Sequence, residues 1–405
     1  MVNPFEKSRY GGYLSFIGIL FLLPLVAYGA ADEVVFQSSG ASFAALLTVG
    51  DGAVIEWTFA DGGTSSSASP TKDYGSEALR ENRLKVTPWS ALTGVNIGYD
   101  AGDGGSYAIP FLDQQGVVAV SGMENMAPYL ELWCSSHNPI AALDFSNFVH
   151  LTTIECFLCQ SMISVNLHNT PLLSRACFED NDLTALDLSE SPSLADLRGA
   201  VNNYPSIQWG SIGDHVWHIC VRDNPQMTAS LPEMTQFPLL QELFVWNDNQ
   251  SGALHTASTH LTSVLASGNH YTTADFTGGF PAGRNGQIDL SNNALTSLVI
   301  TDCPGLTQLD LRNNNLDQAA VDGIFAALDA FGANGGVLDL TGNTPPSITG
   351  RTHADSLSDR SWTVHYDGEN DNVPPVISAI TSSASATGAT ISWKTNKVTT
   401  ATLEY

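Results

Sequence analysis

One spacing recurs ten times between Leu130 and Asn343, and it constrains the fold of this chain more than any other feature. The pattern is L-x-x-L-x-L-x-x-N-x-L, and the copy that begins at Leu306 matches it at every named position. Successive copies start 21 to 29 residues apart, at Leu130, Leu151, Leu173, Leu194, Val216, Leu240, Leu261, Asn285, Leu306 and Gly335. A period of this length predicts a solenoid in which each repeat contributes one coil.

The repeat resembles that of the leucine-rich-repeat family, whose period and consensus it shares. We number its positions 1 to 11. Because side chains alternate along a strand, the apolar residues at positions 4 and 6 lie on one face and form the core. Asn at position 9 can bond the backbone where the coil turns. Cys159, which the family consensus allows, and Asp248 replace this Asn, and the Asp248 coil is predicted to be less regular.

The second half of several repeats is also apolar, as in residues 183–188 and 295–300, which predicts extended chain on the opposite wall. The 29-residue step differs, because apolar residues between Val321 and Phe331 recur at helical spacing. Asp317 can cap the start of this segment and Gly332 can end it. The sequence therefore predicts one helix on the back of the last coils.

The first thirty residues carry Lys7 and Arg9, an apolar run from Leu14 to Ala27, and then small residues. This order is typical of a secretory signal peptide in residues 1–30. A membrane span is the alternative, but the uncharged run contains Pro24 and ends in small residues, which favours cleavage. Either outcome predicts a protein outside the cytoplasm, secreted or on the cell surface.

The chain is strongly acidic, with 41 Asp and Glu against 15 Lys and Arg and a formal charge of −26. Nucleic acid is excluded as an expected partner, because its phosphates require a basic surface. Such a surface favours cations or basic partners, although adaptation to a salty or calcium-rich exterior would give the same composition.

The region from residue 32 to 120, before the repeats, contains the motif W-T-F-A-D-G at Trp57–Gly62, followed by Ser65, Pro70 and Tyr74-Gly75. This motif resembles the signature of polycystic-kidney-disease (PKD) type immunoglobulin-like domains. The resemblance implies a small β-sandwich in which the Trp and Phe side chains pack in the core and Asp-Gly makes a turn.

The repeats are predicted to span residues 126–370, with Trp362–Tyr366 as a strand that closes the solenoid. The segment from Asp371 to Pro375 is typical of a linker, and residues 371–405 resemble the first strands of a fibronectin type III domain, with Trp393 as its buried Trp. About thirty residues cannot complete such a domain. The predicted fold is therefore mainly β: a small β-sandwich, a leucine-rich-repeat solenoid of about ten coils, and a truncated fibronectin-like β-sandwich.

Motifs of catalysis are absent from the sequence: it has no G-x-S-x-G, no H-E-x-x-H and no phosphate-binding loop, so we expect no enzyme. Cys156 and Cys159 have C-x-x-C spacing, but they occupy positions 6 and 9, which predicts core packing. Cys134, Cys177 and Cys220 all occupy position 5 in alternate coils, about 9.6 Å apart, which exceeds the reach of a disulfide. Free thiols are therefore predicted.

Metal and cofactor sites are not predicted either. His215 and His218 are three residues apart, which on a strand places them on opposite faces, so we expect scattered surface histidines rather than a metal site. The run from Asp100 to Gly105 offers carboxylates to calcium, but it lacks the regular acid spacing and terminal Glu of a known calcium loop. A solvated turn is favoured there.

The surface that the repeat creates is the predicted binding site, because outward residues at positions 3, 5 and 7 stack into columns across the concave face of the sheet. Column 5 and column 7 bring aromatic residues next to arginines, as in interface hot spots. A row of three aspartates follows, which favours a cation or a basic partner. The predicted ligand-binding residues are Phe157, Arg198, Arg222, Phe244, Trp246, Asp289, Asp310, Arg312 and Asp339.

These features predict non-catalytic recognition of a protein or cell-surface ligand by a secreted bacterial protein, as the family resemblance implies. Two alternatives stay open. The chain is the accessory N-terminal part of a larger secreted hydrolase, or it binds carbohydrate through Phe244 and Trp246. Any contact with a membrane would come from the signal sequence or from an anchor beyond Tyr405.

Overall fold

The computed structural model describes residues 32–98, 116–159, 161–368, 377–385 and 388–395. Within them, the largest sheet has thirteen strands, and ten of these come one from each repeat. Neighbouring repeat strands pair in parallel. They are Leu132–Cys134, Thr153–Glu155, Arg175–Cys177, Asp196–Arg198, His218–Cys220, Glu242–Phe244, Ser263–Leu265, Gly286–Asp289, Leu306–Asp310 and Gly336–Asp339. This is the leucine-rich-repeat solenoid that the sequence predicts.

The core of the solenoid consists of the residues at positions 4 and 6, as the strand periodicity predicts. Ile154, Leu197 and Leu243 at position 4 are completely buried, and so are Val221 and Leu311 at position 6. Parallel strand pairing stacks these side chains from coil to coil into a continuous apolar column. Their removal from water stabilises the solenoid.

A ladder of buried amides at position 9 holds successive coils together. Asn181 Nδ2 donates to the carbonyls of Cys156 in the preceding coil and Phe178 in its own, while its Oδ1 accepts from the Cys159 backbone N–H. Asn314 Nδ2 donates in the same way to Leu290 of the preceding coil and Leu311 of its own, while its Oδ1 accepts from the Leu295 backbone N–H. We call these residues the asparagine ladder. They satisfy backbone groups that the turns would otherwise leave buried without partners.

The residue before the ladder, at position 8, has a left-handed backbone in all ten repeats. Gly, Asn and Asp tolerate this conformation best, and they fill seven of the ten positions. Val201 is the least suited, since a β-branched residue at φ 53° is strained. The Asp248 coil has a second left-handed residue, Asn249, so the prediction that this coil is less regular is confirmed.

Replacing Val201 with Asn should raise the free energy of unfolding by about 1 kcal/mol, because Asn adopts the left-handed conformation at lower cost. Urea unfolding followed by circular dichroism would measure the change. The matched reverse variant is Asn292→Val, whose position-8 residue has φ 55°, and it should lose a similar amount. Equal stability of both variants and the wild type would show that the turn carries no strain.

The wall opposite the long sheet carries short strands, as predicted. Ala142–Asp144 pairs with Ser164–Asn166, and Leu186–Asp187 pairs with Ile207–Gln208. Ser251–His255, His270–Asp275 and Ser297–Val299 form a third small sheet. One 3-10 turn at Met234–Gln236 lies between the strands of the neighbouring coils.

The predicted helix, α1 (Gln318–Phe331), is confirmed with both of its ends. The Asp317 side chain accepts from the Ala320 backbone N–H, and Gly332 ends the helix at φ 69°. A second helix, α2 (Ile348–Asp359), begins at Ser347 and was not predicted, because its sequence is mostly polar and contains Gly350. The prediction of one helix was therefore incomplete.

Asp329 of α1 connects the two helices through hydrogen bonds and ion pairs with three side chains in or just after α2. His353 Nδ1 lies 2.7 Å from Asp329 Oδ2, Ser356 Oγ donates to Oδ1 at 2.8 Å, and Arg360 Nη2 lies 2.7 Å from Oδ1. Burial alone would raise the pKa of Asp329, but these three partners together hold it below its usual value.

The N-terminal region folds as a small β-sandwich cap. Its five-stranded sheet contains Thr64–Ser65, Val54–Thr58, Arg80–Thr87, Val34–Ser38 and Val117–Ser121 in that order, and Ser42–Ala44 pairs with Thr71–Asp73. Trp57 and Phe59 stack in its core with ring centroids 6.3 Å apart, and Asp61 Oδ1 accepts from the Gly63 N–H in the turn. The packing and the turn agree with the PKD-like motif, although the family name itself stays a prediction. Two 3-10 turns, Trp89–Ala91 and Met123–Asn125, complete the cap.

The cap and the repeats share one sheet. Leu92–Asn96 pairs in parallel with the first repeat strand, and Leu46–Val49 adds beyond it in antiparallel orientation. At the other end Trp362–His365 pairs with the last repeat strand, which confirms the predicted closing strand. The sequence places a domain boundary between residues 120 and 126, and the hydrogen-bonded sheet continues across it.

The fibronectin-like region contributes an antiparallel hairpin, Ile377–Ser385 and Gly388–Thr395. These segments correspond to the predicted first two strands, and Trp393 on the second is half-buried rather than buried. The predicted signal peptide, the candidate calcium turn at Asp100–Gly105 and the last predicted strand lie outside the described residues. No helix in the described ranges is long and apolar enough to cross a membrane.

Candidate functional site: the open face of the long sheet

Side chains at positions 3, 5 and 7 of each repeat lie on one side of the long sheet, which we call the open face. Parallel pairing in register places equivalent residues side by side, so that Cys220 pairs with Phe244 and Phe244 pairs with Leu265. The columns deduced from the repeat are therefore present. Strand spacing of about 4.8 Å lets the side chains of adjacent coils touch.

Two aromatic residues and one arginine meet at the centre of this face, and we call Arg222, Phe244 and Trp246 the aromatic patch. The ring centroids of Phe244 and Trp246 are 6.1 Å apart, and the Arg222 guanidinium carbon lies 5.0 Å from the Trp246 centroid. Arg222 also contacts Asp223, with Nη1 2.8 Å from Oδ2. All three residues of the patch are half-buried, so they are held in place and still reach solvent.

Two predicted residues lie apart from this patch. Arg198 Nε donates to Asp196 at 3.2 Å, which directs its guanidinium along its own strand. Phe157 packs edge-on against His137, with ring centroids 5.4 Å apart, and its strand is separated from that of Phe244 by three others. The structure therefore shows the grouping of aromatics with arginine for Arg222, and it places Phe157 several coils away.

The three aspartates form the predicted row. Asp289, Asp310 and Asp339 are successive partners in the sheet. Each also accepts from the backbone N–H two residues later, in the same local turn. Arg312 lies between two of them, 2.6 Å from Asp310 and 3.7 Å from Asp339. Burial raises the pKa of Asp289. One base against three acids leaves this end of the face negative.

Reasoning from sequence missed a network of charged side chains formed by position 3 of four repeats and by Glu155, at position 5 of the repeat before them. Arg175 lies 2.5 Å from Glu155 and 2.8 Å from Asp196. His218 Nδ1 lies 2.6 Å from Asp196 Oδ1, and His218 Nε2 lies 3.8 Å from Glu242. We call these five residues the charge network. It crosses five adjacent strands, and His218 contacts the aromatic patch, since its ring lies 5.5 Å from that of Phe244.

The signal for this network was visible in the sequence. Arg175, Asp196, His218 and Glu242 occupy position 3 of four consecutive repeats, and their charges alternate. The sequence predicted scattered surface histidines. This prediction was wrong for His218, which is only 4% exposed. Burial alone would raise the pKa of Asp196, but the hydrogen bond with His218 and the nearby arginines together keep it below its usual value.

All six cysteines are buried, free thiols. Cys134, Cys177 and Cys220 lie in column 5, and Cys156 and Cys159 lie in the core. Burial raises the pKa of Cys156, Cys177 and Cys220 well above the ordinary value, and that of Cys159 to about 12. Such thiols stay protonated at neutral pH and are poor nucleophiles. The arrangement agrees with packing rather than redox chemistry.

Comparisons with known proteins add little to this geometry. No protein-family model matches the chain, and no curated protein matches it. Among solved structures, it is similar to the functional domain of InlJ from Listeria monocytogenes, described as including a cysteine ladder, with 16% identity and a TM-score of 0.41 over 50% of this chain and 48% of that one. An internalin, InlF, from Listeria monocytogenes strain 4b F2365 aligns with 12% identity and a TM-score of 0.32 over 70% of this chain and 88% of that one. The fold is established by the chain's own coils, strand register and asparagine ladder.

Proposed function

We propose that this protein recognises a protein ligand, without catalysis, through the open face of its leucine-rich-repeat sheet, outside the cell. The observation that carries the proposal is the aromatic patch. Arg222 lies over Trp246, and Phe244 lies beside it, so that a rigid aromatic surface and a cation share one spot. Trp, Tyr and Arg dominate the binding energy of protein interfaces, and they do so at the centre of the contact.

The surroundings of the patch favour a particular kind of ligand. On one side lies the charge network, in which Arg175 and His218 each lie between two carboxylates. Beyond the next strand, where Leu265 pairs with Phe244, the row of aspartates begins. A protein segment with an apolar or aromatic side chain for the patch and a Lys or Arg for Asp289 fits this order.

The buried thiols support a binding role. An exposed, low-pKa nucleophile would be expected of a cysteine enzyme, and the raised pKa values of Cys177 and Cys220 on this face are the opposite. His218 is held between the carboxylates of Asp196 and Glu242. These features of the open face favour binding of a ligand over catalysis.

Trp246→Ala should weaken ligand binding by roughly 30-fold, which is the effect of losing an interface hot spot of about 2 kcal/mol. The immobilised full chain would capture ligands from extracellular material, and the retained protein would then be purified and titrated by calorimetry. The matched control is Trp209→Ala, a half-buried Trp that packs against Phe237 outside the open face.

Three outcomes would change the assignment. Equal binding by the Trp246 and wild-type chains would remove the open face as the site. Equal loss in the Trp209 variant would point to a general loss of structure. A glycan retained by wild type and lost in Trp246→Ala would replace the protein ligand with the carbohydrate alternative. The accessory role in a larger hydrolase has no observation on the described surface that favours it.

A further inference from the structure

A second concave site lies in the N-terminal cap. It is a cavity of about 590 Å³ between the turn after Thr58 and the start of the strand at Arg80. Pockets that hold small ligands or peptide side chains have volumes of roughly 300–1,000 Å³. Phe59 and Tyr74 contribute aromatic surface, and Leu79, which is 67% exposed, stands at its side.

The backbone at this cavity has a free strand edge. Val54–Thr58 pairs with the strand Arg80–Thr87 only as far as the partners Thr58 and Arg83. On its other side, that strand is paired along its whole first half, down to Ser38 opposite Arg80. Within the described ranges, residues 80–82 therefore have a neighbouring strand on one side only. Asn82 is fully buried, whereas Arg80 and Glu81 line the cavity, where an added strand can form main-chain hydrogen bonds.

Among the described residues, the cation at this edge has no acidic partner. Arg80 donates to the carbonyls of Gly40 and Ala78 and to Ser76 Oγ, and none of these is a carboxylate. The neighbouring cations differ: Lys72 lies 2.5 Å from Asp61, and Arg83 pairs with Glu33 and Glu81. In a chain with 41 acids and 15 bases, a half-buried arginine left without a carboxylate favours an anionic ligand group.

The aromatic surface at this site is already covered by cations. The Arg80 guanidinium lies 4.3 Å from the Tyr74 centroid, and Lys72 Nζ lies 5.8 Å from it. Lys72 also lies 5.7 Å from the Phe59 centroid. A sugar ring that stacks on either aromatic residue would compete with these contacts, so the geometry favours a peptide over a carbohydrate.

We propose that this cavity binds an extended, acidic peptide segment of a partner protein as an added β-strand. The main chain of the peptide pairs with Arg80 and Glu81, one of its carboxylate side chains pairs with Arg80, and an apolar side chain covers Leu79. This site is separate from the open face, and it stands whether or not the aromatic patch binds a ligand.

The test uses the full chain and a fluorescent hexapeptide of alternating Val and Glu with both ends blocked. Binding would be followed by fluorescence anisotropy at 150 mM salt, with the Val–Gln peptide of the same length as its neutral match. Wild type should bind the Glu peptide about tenfold more tightly, which is the effect of one charge-assisted hydrogen bond. Arg80→Gln should abolish this preference. Arg284→Gln, a change at an exposed arginine outside this cavity, should retain it.

Two further measurements separate charge from strand addition. A Glu peptide methylated on alternate backbone nitrogens should lose binding although its charge is unchanged, because it cannot complete the ladder. Leu79→Ser should weaken both unmethylated peptides to the same extent. Failure of wild type to bind either peptide, equal binding of the Glu and Gln peptides, or full binding of the methylated peptide would each overturn the proposal.

Discussion

Replacing Asp248 with Asn should stabilise this protein at neutral pH by on the order of 3 kcal/mol and remove most of the pH dependence that this position contributes. Asp248 takes the place of an amide in the asparagine ladder. Its Oδ1 accepts from the Asn224 backbone N–H at 2.8 Å, as a ladder oxygen should. Its Oδ2 is buried without a partner.

The position of Asp248 Oδ2 explains why this carboxyl group lowers the stability of the folded protein. In the coils before and after, the amide nitrogen donates to two carbonyls: Asn224 to Gly199 and Val221, and Asn269 to Val245 and Ala266. The equivalent nitrogen of an Asn at 248 would meet the carbonyls of Val221 and Val245. A carboxylate oxygen there meets them with like polarity. Burial, with the nearby charge of Asp223, accordingly raises the pKa of Asp248 to about 8.

The direction of the pH effect follows from this shift. An unfolded Asp releases its proton near pH 4, whereas Asp248 in the folded protein keeps its proton to about pH 8. Between these values the native state binds more protons than the unfolded state, so stability falls as pH rises. The contribution of Asp248 to the free energy of unfolding is therefore fully favourable only below pH 4, and it is lost by about pH 8.

Denaturant unfolding at several pH values between 4.5 and 8.5 would measure both effects. The difference between Asp248→Asn and wild type should grow with pH across this range. The matched control is Asn314→Asp, because the Asn314 amide donates to Leu290 and Leu311 and accepts from Leu295. That variant should lose stability and acquire the same downward trend. An Asp248→Asn protein no more stable than wild type at pH 8 would contradict the argument.

Asp196→Ala should have an opposite and comparably large effect, lowering the free energy of unfolding by about 3 kcal/mol. The Asp196 side chain is 5% exposed, and it contacts Arg175, Arg198 and His218. Its removal leaves these groups partly buried without their shared carboxylate. A charge left in that state costs more than the original pair contributed.

The pH dependence of this second site has the reverse sign. Because the pKa of Asp196 is lower in the folded protein than in the unfolded one, its contribution is present above pH 4 and is lost as the solution is acidified. Asp196→Ala should therefore destabilise the protein at pH 7 and make less difference near pH 3. Thermal unfolding across this range would follow it.

A comparable ion pair on the same face provides the control. Asp310 lies 2.6 Å from Arg312, whose side chain is 48% exposed. Solvent screens such a pair, so Asp310→Ala should cost less than 1 kcal/mol beyond its turn hydrogen bond. Asp196→Asn keeps an oxygen acceptor, so its loss of unfolding free energy should lie between those of Asp196→Ala and Asp310→Ala. Equal losses in Asp196→Ala and Asp310→Ala would show that the charge network has no special role.

The repeat made most of the fold predictable, because each coil obeys the same local rules. Positions 4, 6 and 9 are dictated by burial, so Leu197 and Asn181 could be placed from spacing alone. Helix α1 was equally predictable, since Asp317 and Gly332 mark its ends. Helix α2 was not, because its sequence is mostly polar and contains Gly350, and its packing depends on contacts such as that of His353 with Asp329 of the neighbouring helix.

The candidate site was only partly predictable for a related reason. Spacing places Arg222, Phe244 and Trp246 on one face, and they do meet. It does not reveal where a long, flexible side chain will go. Arg198 turns to Asp196 on its own strand, and His218 becomes buried between two acids. The choice among partners depends on distances of a few ångströms, which the repeat does not encode.

The inter-coil hydrogen bonds of the asparagine ladder all run in one direction along the chain, and this bears on the order of folding. Apart from bonds within its own turn, Asn181 bonds Cys156 and Cys159, and Asn343 bonds Leu311 and Leu316, so every inter-coil partner precedes the Asn in the chain. A chain that leaves the ribosome or crosses a membrane with its N-terminus first delivers the cap and then one coil after another. Each arriving amide finds its partners already in place, so the solenoid can form coil by coil as the chain emerges, with a single growing edge exposed at any moment.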